Sequence, residues 1–271
     1  MAVVDSLRSG VLNLDYAEVS RRIEGFIADS VEKSRTAGVV VGLSGGVDSS
    51  VVATLCVRAL SKERVLGLIM PTSFTPQQDI LDAEWIASWL GIRTKTIIID
   101  PIVDSFTQQL EADPLEKKLR IPFANLRARV RMTLLYFHAN AGNMLVAGTG
   151  DRSEILIGYF TKYGDGGVDI LPIGGLFKSQ VRRLATYLGI PERIAYKPSS
   201  PQLYPGHRAV DEIPADYEQL DIILYLLFDK QKKAEEVARE TGFSLELVHE
   251  VIRRYESSHH KRSLPPVPAI K

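Results

Sequence analysis

The chain has 271 residues, with 33 Lys plus Arg against 33 Asp plus Glu, 45% apolar residues and 24% charged ones. This is the balance of a globular protein with a sizeable core, and the zero net charge argues against bulk nucleic-acid binding. The one cysteine, Cys56, excludes an intrachain disulfide and a cysteine-cluster metal site. The first residues lack a basic flank followed by an apolar stretch, and no apolar run approaches the ~20 residues needed to cross a bilayer, so a soluble cytoplasmic protein is expected.

In chain order, Val19, Ile23, Phe26, Ile27 and Val31 recur at helical spacing, which predicts an amphipathic helix over 16–35. The β-branched run from Gly38 to Leu43 suits a buried parallel strand. A glycine turn follows, then a helix with Val47, Val51 and Leu55 on one face. Further strands are expected over 65–70 and 96–99, with a helix over 77–90 between them closed by Gly91. A long helix over 123–140 leads into a strand over 143–147. Apolar residues crowd its second half (Met132, Leu134, Leu135, Tyr136, Phe137), so burial on more than one side is expected, by the core or by a second subunit. A helix over 178–188 stops at Gly189, with Pro191 just behind. Residues 216–257 read as two or three amphipathic helices. The alternation predicts an α/β fold of one domain over 1–271: a doubly wound, five-stranded parallel sheet over 16–200, with a helical C-terminal extension and mobile tail over 201–271.

The most informative stretch is Val41-Gly42-Leu43-Ser44-Gly45-Gly46-Val47-Asp48-Ser49-Ser50, which leaves a strand and opens a helix. Such a turn aims free backbone N–H groups at one point, where the helix dipole also favours an anion. Gly45 and Gly46 let the backbone approach a phosphate, Ser44 and Ser49 offer hydroxyls, and Asp48 is placed to hold magnesium against it. Neither GxxxxGK[ST] nor GxGxxG is present, which sets aside the ordinary P-loop and a nicotinamide-binding Rossmann turn. Downstream, residues 148–178 carry Glu154, Asp165, Asp169, Lys162 and Lys178 around a glycine-rich bend. By residue chemistry alone, this is either a solvated loop or a metal–phosphate site.

The loop resembles the SGGxDS pyrophosphate loop of the N-type ATP pyrophosphatases, a Rossmann-like group that adenylates an oxygen of a second substrate. Gly158-Tyr-Phe160-Thr161-Lys162-Tyr163-Gly164-Asp165-Gly166-Gly167-Val-Asp169-Ile-Leu-Pro172 resembles the signature of the NAD synthetase family within that group. Asn125-Leu-Arg127-Ala128-Arg129-Val-Arg131-Met132, the Met70-Pro71…Asp79…Asp82 segment and His260-Lys261-Arg262 are similar to three further family segments. The resemblance implies ATP-dependent amidation of deamido-NAD with ammonia, through a nicotinate adenylate, with Mg2+ as cofactor.

It also implies residue roles. Gly42, Leu43, Ser44, Gly45, Gly46, Val47, Asp48 and Ser49, with Thr149, Lys178 and Ser200, would bind ATP and its pyrophosphate. Asp48 and Glu154 would ligate the metal. Arg129, Lys162, Asp165, Asp169, His260 and Lys261 would surround deamido-NAD, the last two closing from the tail. Asp48, Lys178, Asp165 and Asp169 are the catalytic candidates; from the chemistry, rather than the resemblance, an acid near the carbonyl is expected to deprotonate ammonium, and Asp165 or Asp169 is the candidate for it. A homodimer with the dinucleotide at its interface is implied. Only 37 residues precede Gly38, so no glutamine-hydrolysing domain is expected there, and ammonia comes free or from a separate donor.

The segment Lys197-Pro-Ser-Ser200-Pro-Gln202-Leu-Tyr-Pro-Gly206-His207 departs from the family's PTADLWxGQ, with Ser200 for Thr, Gln202 for an acid and His207 for Gln. The alternatives are another ATP pyrophosphatase ligase or a non-catalytic nucleotide-binding regulator. His259-His260 lacks a third metal ligand, and 234–252 resembles a helix-turn-helix whose second helix is too acidic to read DNA.

Overall fold

Val39, Val40 and Val41 have no exposed surface, and the strand they form is central to the sheet. A computed structural model describes residues 2–113 and 115–270. Strand β1 (Gly38–Gly42) pairs in parallel with β2 (Val65–Ile69) on one side and β4 (Met144–Ala147) on the other; β3 (Arg93–Thr96) pairs with β2. The sheet order is β3-β2-β1-β4.

Because strand side chains alternate between faces, Val39 and Val41 point one way and Val40 the other. The first pair joins an apolar cluster with α2 (Tyr16–Lys33), α3 (Val47–Leu60), α4 (Gln77–Leu90) and α8 (Lys178–Tyr187). Val40, Leu68 and Val146 join a second cluster with α5 (Asp100–Leu110) and α6 (Arg120–Gly142). Helices therefore cover both faces. A third cluster gathers α10 (Tyr217–Leu224), α11 (Ala234–Thr241) and α12 (Leu245–Ser257) with Val4, Leu7 and Val11 of α1 (Ala2–Leu12). Cys56 lies in the first cluster, where burial pushes its thiol up to about 12. Among the described residues no helix is long and apolar enough to cross a membrane.

Two expectations need correction. The sheet has four strands among the described residues, not five: the candidate fifth is reduced to a single parallel bridge, Ala147 to Ile170, before Pro172 ends the pairing. The third strand is assigned to 93–96 rather than 96–99, because its paired part is an exposed polar edge. Its hydrogen bonding does continue, since Ile97 N and Ile99 N donate to the carbonyls of Ile69 and Pro71. Helices α1 and α5 were not anticipated. Helix α6 packs on β1 and β4, yet leaves Phe137 67% exposed, so this chain alone does not cover both its sides.

Candidate active site

At the end of β1 the chain turns through Gly45, with φ of +74°; a Cβ there would stand 2.1 Å from the Asp79 carbonyl oxygen. Only glycine fits. Gly46 is the N-cap of α3 and has no side chain to occupy the free N–H groups of the first turn. The two serines brace the loop: Ser44 Oγ and Ser49 Oγ lie 3.1 Å apart, Ser44 N donates to Ser49 Oγ at 3.2 Å, and Gly46 N donates to Ser44 Oγ at 3.3 Å.

Behind this loop lies a buried ionic cluster. Lys178, the first residue of α8, has no exposed surface. Its ammonium is 2.7 Å from Asp48, 2.9 Å from Asp151 and 3.0 Å from Glu154. Asp151 is the N-cap of α7 (Arg152–Ile157) and forms a capping box with Glu154, which fixes both carboxylates on one helix start. Burial dominates the Glu154 carboxyl and, with Asp151 and Asp48 beside it, pushes it up to about 8 against the pull of Lys178. Burial likewise raises Asp151. Burial works against the Lys178 charge, but the three carboxylates outweigh it and hold its pKa well above the ordinary value.

Three carboxylates against one ammonium leave room for more positive charge. Asp48 Oδ1 is buried without a hydrogen-bond partner, and the donors are all hard oxygens, which suits a magnesium ion. Among the described residues no set of three or more His, Cys, Asp or Glu side chains forms a ready-made metal cage. Magnesium commonly takes one or two carboxylates and completes its shell with phosphate and water.

The glycine loop, Asp48, Thr149, Glu154, Asp165 and Ser200 all line one cleft of about 360 Å³, together with Arg131. Asp165 lines the cleft and is itself exposed to it; desolvation by the chain packed around it raises its carboxyl, against the pull of the Thr161 N–H. Its Oδ1 accepts from Thr161 N at 2.9 Å. Burial lowers Arg131 to about 10, and its Nε donates to the Met70 carbonyl.

Other expected residues lie around rather than in the cleft. Asp169 is held on both oxygens, by Val146 N at 2.7 Å and the Tyr136 hydroxyl at 3.0 Å. Arg129 donates to the Lys162 carbonyl, and Lys162 Nζ donates to the His260 carbonyl at 2.6 Å. Lys261 Nζ donates to the carbonyls of Gly158 and Phe160, both at 2.7 Å. Arg262 caps the end of α7 at Ile155 O and Leu156 O. His260 and Lys261 of the tail thus dock on the signature segment, and Arg262 on the helix before it. Ser200 reaches the cleft, but its hydroxyl donates to the His207 carbonyl.

A protein-family model described as NAD synthase matches residues 19–265. The chain belongs to the NAD synthase family. It is 58% identical over 259 residues to the NH3-dependent NAD+ synthetase of Hyperthermus butylicus, covering 95% of this chain and 92% of that one. It is similar in structure to the NH3-dependent NAD synthetase of Campylobacter jejuni (TM-score 0.79, 34% identity, 94% of this chain and 100% of the other). It is also similar to the NMN synthetase of Francisella tularensis (TM-score 0.82, 34% identity, 94% and 99%).

Within this family frame, four sets of contacts at the site escaped the sequence reading. Asp151 was overlooked as a partner of Lys178, although D-x-x-E before an apolar run is a readable capping box. Lys197 ties the departing segment down: its ammonium donates to Gly45 O at 3.0 Å, to Asp79 at 2.8 Å and to Asp82. Gln202 donates to the other Asp79 oxygen. His207 packs flat on Tyr204 with centroids 3.9 Å apart, and its Nε2 meets Glu212 at 2.9 Å. No local pattern announces the pairs of Lys197 and Gln202, which span more than a hundred residues.

Proposed function

We propose that this chain makes NAD from deamido-NAD, ATP and ammonia. The observation that carries the reading is the convergence of the glycine loop, Asp48, Glu154 and Asp165 on one cleft, in a chain 58% identical to an NH3-dependent NAD+ synthetase.

A carboxylate oxygen of nicotinate attacks the α-phosphorus of ATP, and pyrophosphate leaves. Ammonia then attacks the carbonyl carbon of the adenylate, and AMP departs with that oxygen. Backbone N–H groups over 44–49, with Thr149, grip the phosphates at the α3 N-terminus. Lys178 brings positive charge to the departing pyrophosphate, where stabilisation accelerates the step. Asp48 and Glu154 would hold Mg2+, which when bound neutralises charge on phosphate oxygens. Asp165 takes the proton from ammonium. Its raised carboxyl is better matched to that task than an ordinary aspartate, and both oxygens of Asp169 are already engaged. Arg129, Lys162, His260 and Lys261 flank the dinucleotide.

A second copy is proposed against the α5–α6 face, where Phe106, Leu110, Ile121 and Phe137 stand exposed. The reaction is placed in the cytoplasm, with no nucleic-acid or membrane partner.

The test supplies deamido-NAD or nicotinate mononucleotide as acceptor, with ammonium or glutamine as nitrogen source, and identifies products by mass spectrometry. NAD, AMP and pyrophosphate in equal amounts from deamido-NAD and ammonium are expected. Preferential turnover of nicotinate mononucleotide would overturn the dinucleotide assignment, and equal rates with glutamine would overturn the ammonia assignment.

A further inference from the structure

The ionic cluster around Lys178 is held from behind by the C-terminal helices. Asp221 of α10 is 1% exposed. Its Oδ1 accepts from the Ser153 hydroxyl at 2.5 Å, and its Oδ2 accepts from Ser179 N at 2.8 Å. Ser153 Oγ in turn accepts from Lys178 N at 3.0 Å. One carboxylate therefore ties the first turn of α7, which carries Glu154, to the first turn of α8, which carries Lys178. Four residues earlier on the same face of α10, the Tyr217 ring lies 5.1 Å from the Lys178 ammonium. The Tyr217 hydroxyl is 3.4 Å from Glu154.

The N–H groups of Lys178 and Ser179 belong to the first turn of α8 and have no partner within the helix. Ser153 alone could satisfy one of them. A buried carboxylate is a costly way to satisfy the other, since burial pushes the Asp221 carboxyl up to about 7. What the carboxylate adds is rigidity: two acceptor oxygens on one planar group, backed by α10, fix the angle between α7 and α8. Lys178 needs that angle. Its ammonium must meet Asp48 on α3 and Glu154 on α7 at once, and the three helices start from separate stretches of the chain.

We propose that Asp221 is a positioning residue for Lys178, and that the C-terminal extension thereby sets the geometry of the phosphate side of the cleft. Asp221 meets no substrate; it acts through the start of α8. This rests on the proposed role of Lys178 toward the ATP phosphates, and not on which acceptor is amidated.

The experiment is a double-mutant cycle of Asp221→Asn with Lys178→Met, read as kcat and as affinity for a non-hydrolysable ATP analogue, at a temperature where all four proteins are folded. Displacing a reacting group by an ångström can cost about a hundredfold, so Asp221→Asn is expected to lower kcat by roughly 10- to 100-fold. In the Lys178→Met background the same change is expected to cost less than about twofold, because the group it positions is gone. Effects that multiply in the cycle, or an Asp221→Asn enzyme with unchanged kcat, would overturn the proposal.

If either variant fails to fold, Ser153→Ala, which removes the hydroxyl between Asp221 and Lys178 N, decides the matter through its split. A fall in kcat and ATP affinity with an unchanged KM for the acceptor supports positioning. Equal losses for both substrates, or none, overturn it. The ATP-analogue readout needs no acceptor, so a wrong assignment of deamido-NAD would show as absent NAD while the cycle still reports on Asp221.

Discussion

Lys178→Met keeps the bulk of the side chain and removes its charge from a site with no exposed surface and three carboxylates within 3.0 Å. Breaking a buried ion cluster by deleting one partner costs about 3–5 kcal/mol. Without the ammonium, one further carboxyl must take up a proton, and Asp151, already raised by burial, is the nearest candidate. At roughly 2–4 °C per kcal/mol for a chain of this size, Tm should fall by about 6–20 °C.

The pH dependence follows from the sign of the shift. A carboxyl whose folded pKa is raised keeps its proton in the fold and loses it on unfolding. Its contribution to stability is complete below the unfolded pKa and is lost as pH rises toward the folded one. The Tm gap between parent and variant should therefore widen from pH 5 to pH 8 in scanning calorimetry. A gap under 2 °C, or one flat across that range, would refute the picture of an ammonium neutralising a carboxylate cluster.

Three further outcomes are expected. Gly45→Ala forces a Cβ against the Asp79 carbonyl at positive φ, which itself costs about 1–2 kcal/mol, so ATP affinity by calorimetry should fall at least about tenfold; unchanged affinity would contradict the loop geometry. Asp165→Asn keeps the shape but cannot take a proton from ammonium, so NAD formation at saturating ammonium should drop about 100-fold or more with ATP binding intact; full turnover would remove Asp165 from that role. Lys261→Met releases the carbonyls of Gly158 and Phe160, each a charge-assisted bond of about 1.5–3 kcal/mol, and should raise KM for the dinucleotide about tenfold or more. An unchanged KM would mean that the docked tail does not shape the pocket.

The layered fold was legible because its signals are local. The unbroken valine run, Gly91 as a helix end, and strand spacing short enough for helical crossovers all follow from single stretches of chain. The glycine loop and the signature segment were legible for the same reason: each is contiguous. What the sequence hid was whatever depends on partners far along the chain. Lys178 meets Asp48 across 130 residues, and Asp221 meets Ser153 across 68. The third strand was misplaced because Arg93 to Thr96 is polar at the sheet edge, while the isoleucines after it look more like a strand. The fifth strand was expected from the alternation, yet Pro172 leaves only one bridge.

The reaction itself can be followed by labelling both oxygens of the nicotinate carboxylate of deamido-NAD with 18O and weighing the products after turnover with ATP and ammonium. Attack of the carboxylate on the α-phosphorus, followed by ammonia displacing AMP, puts one labelled oxygen into the AMP phosphate and none into pyrophosphate. Unlabelled AMP, or label in inorganic phosphate or pyrophosphate, would contradict the adenylate route.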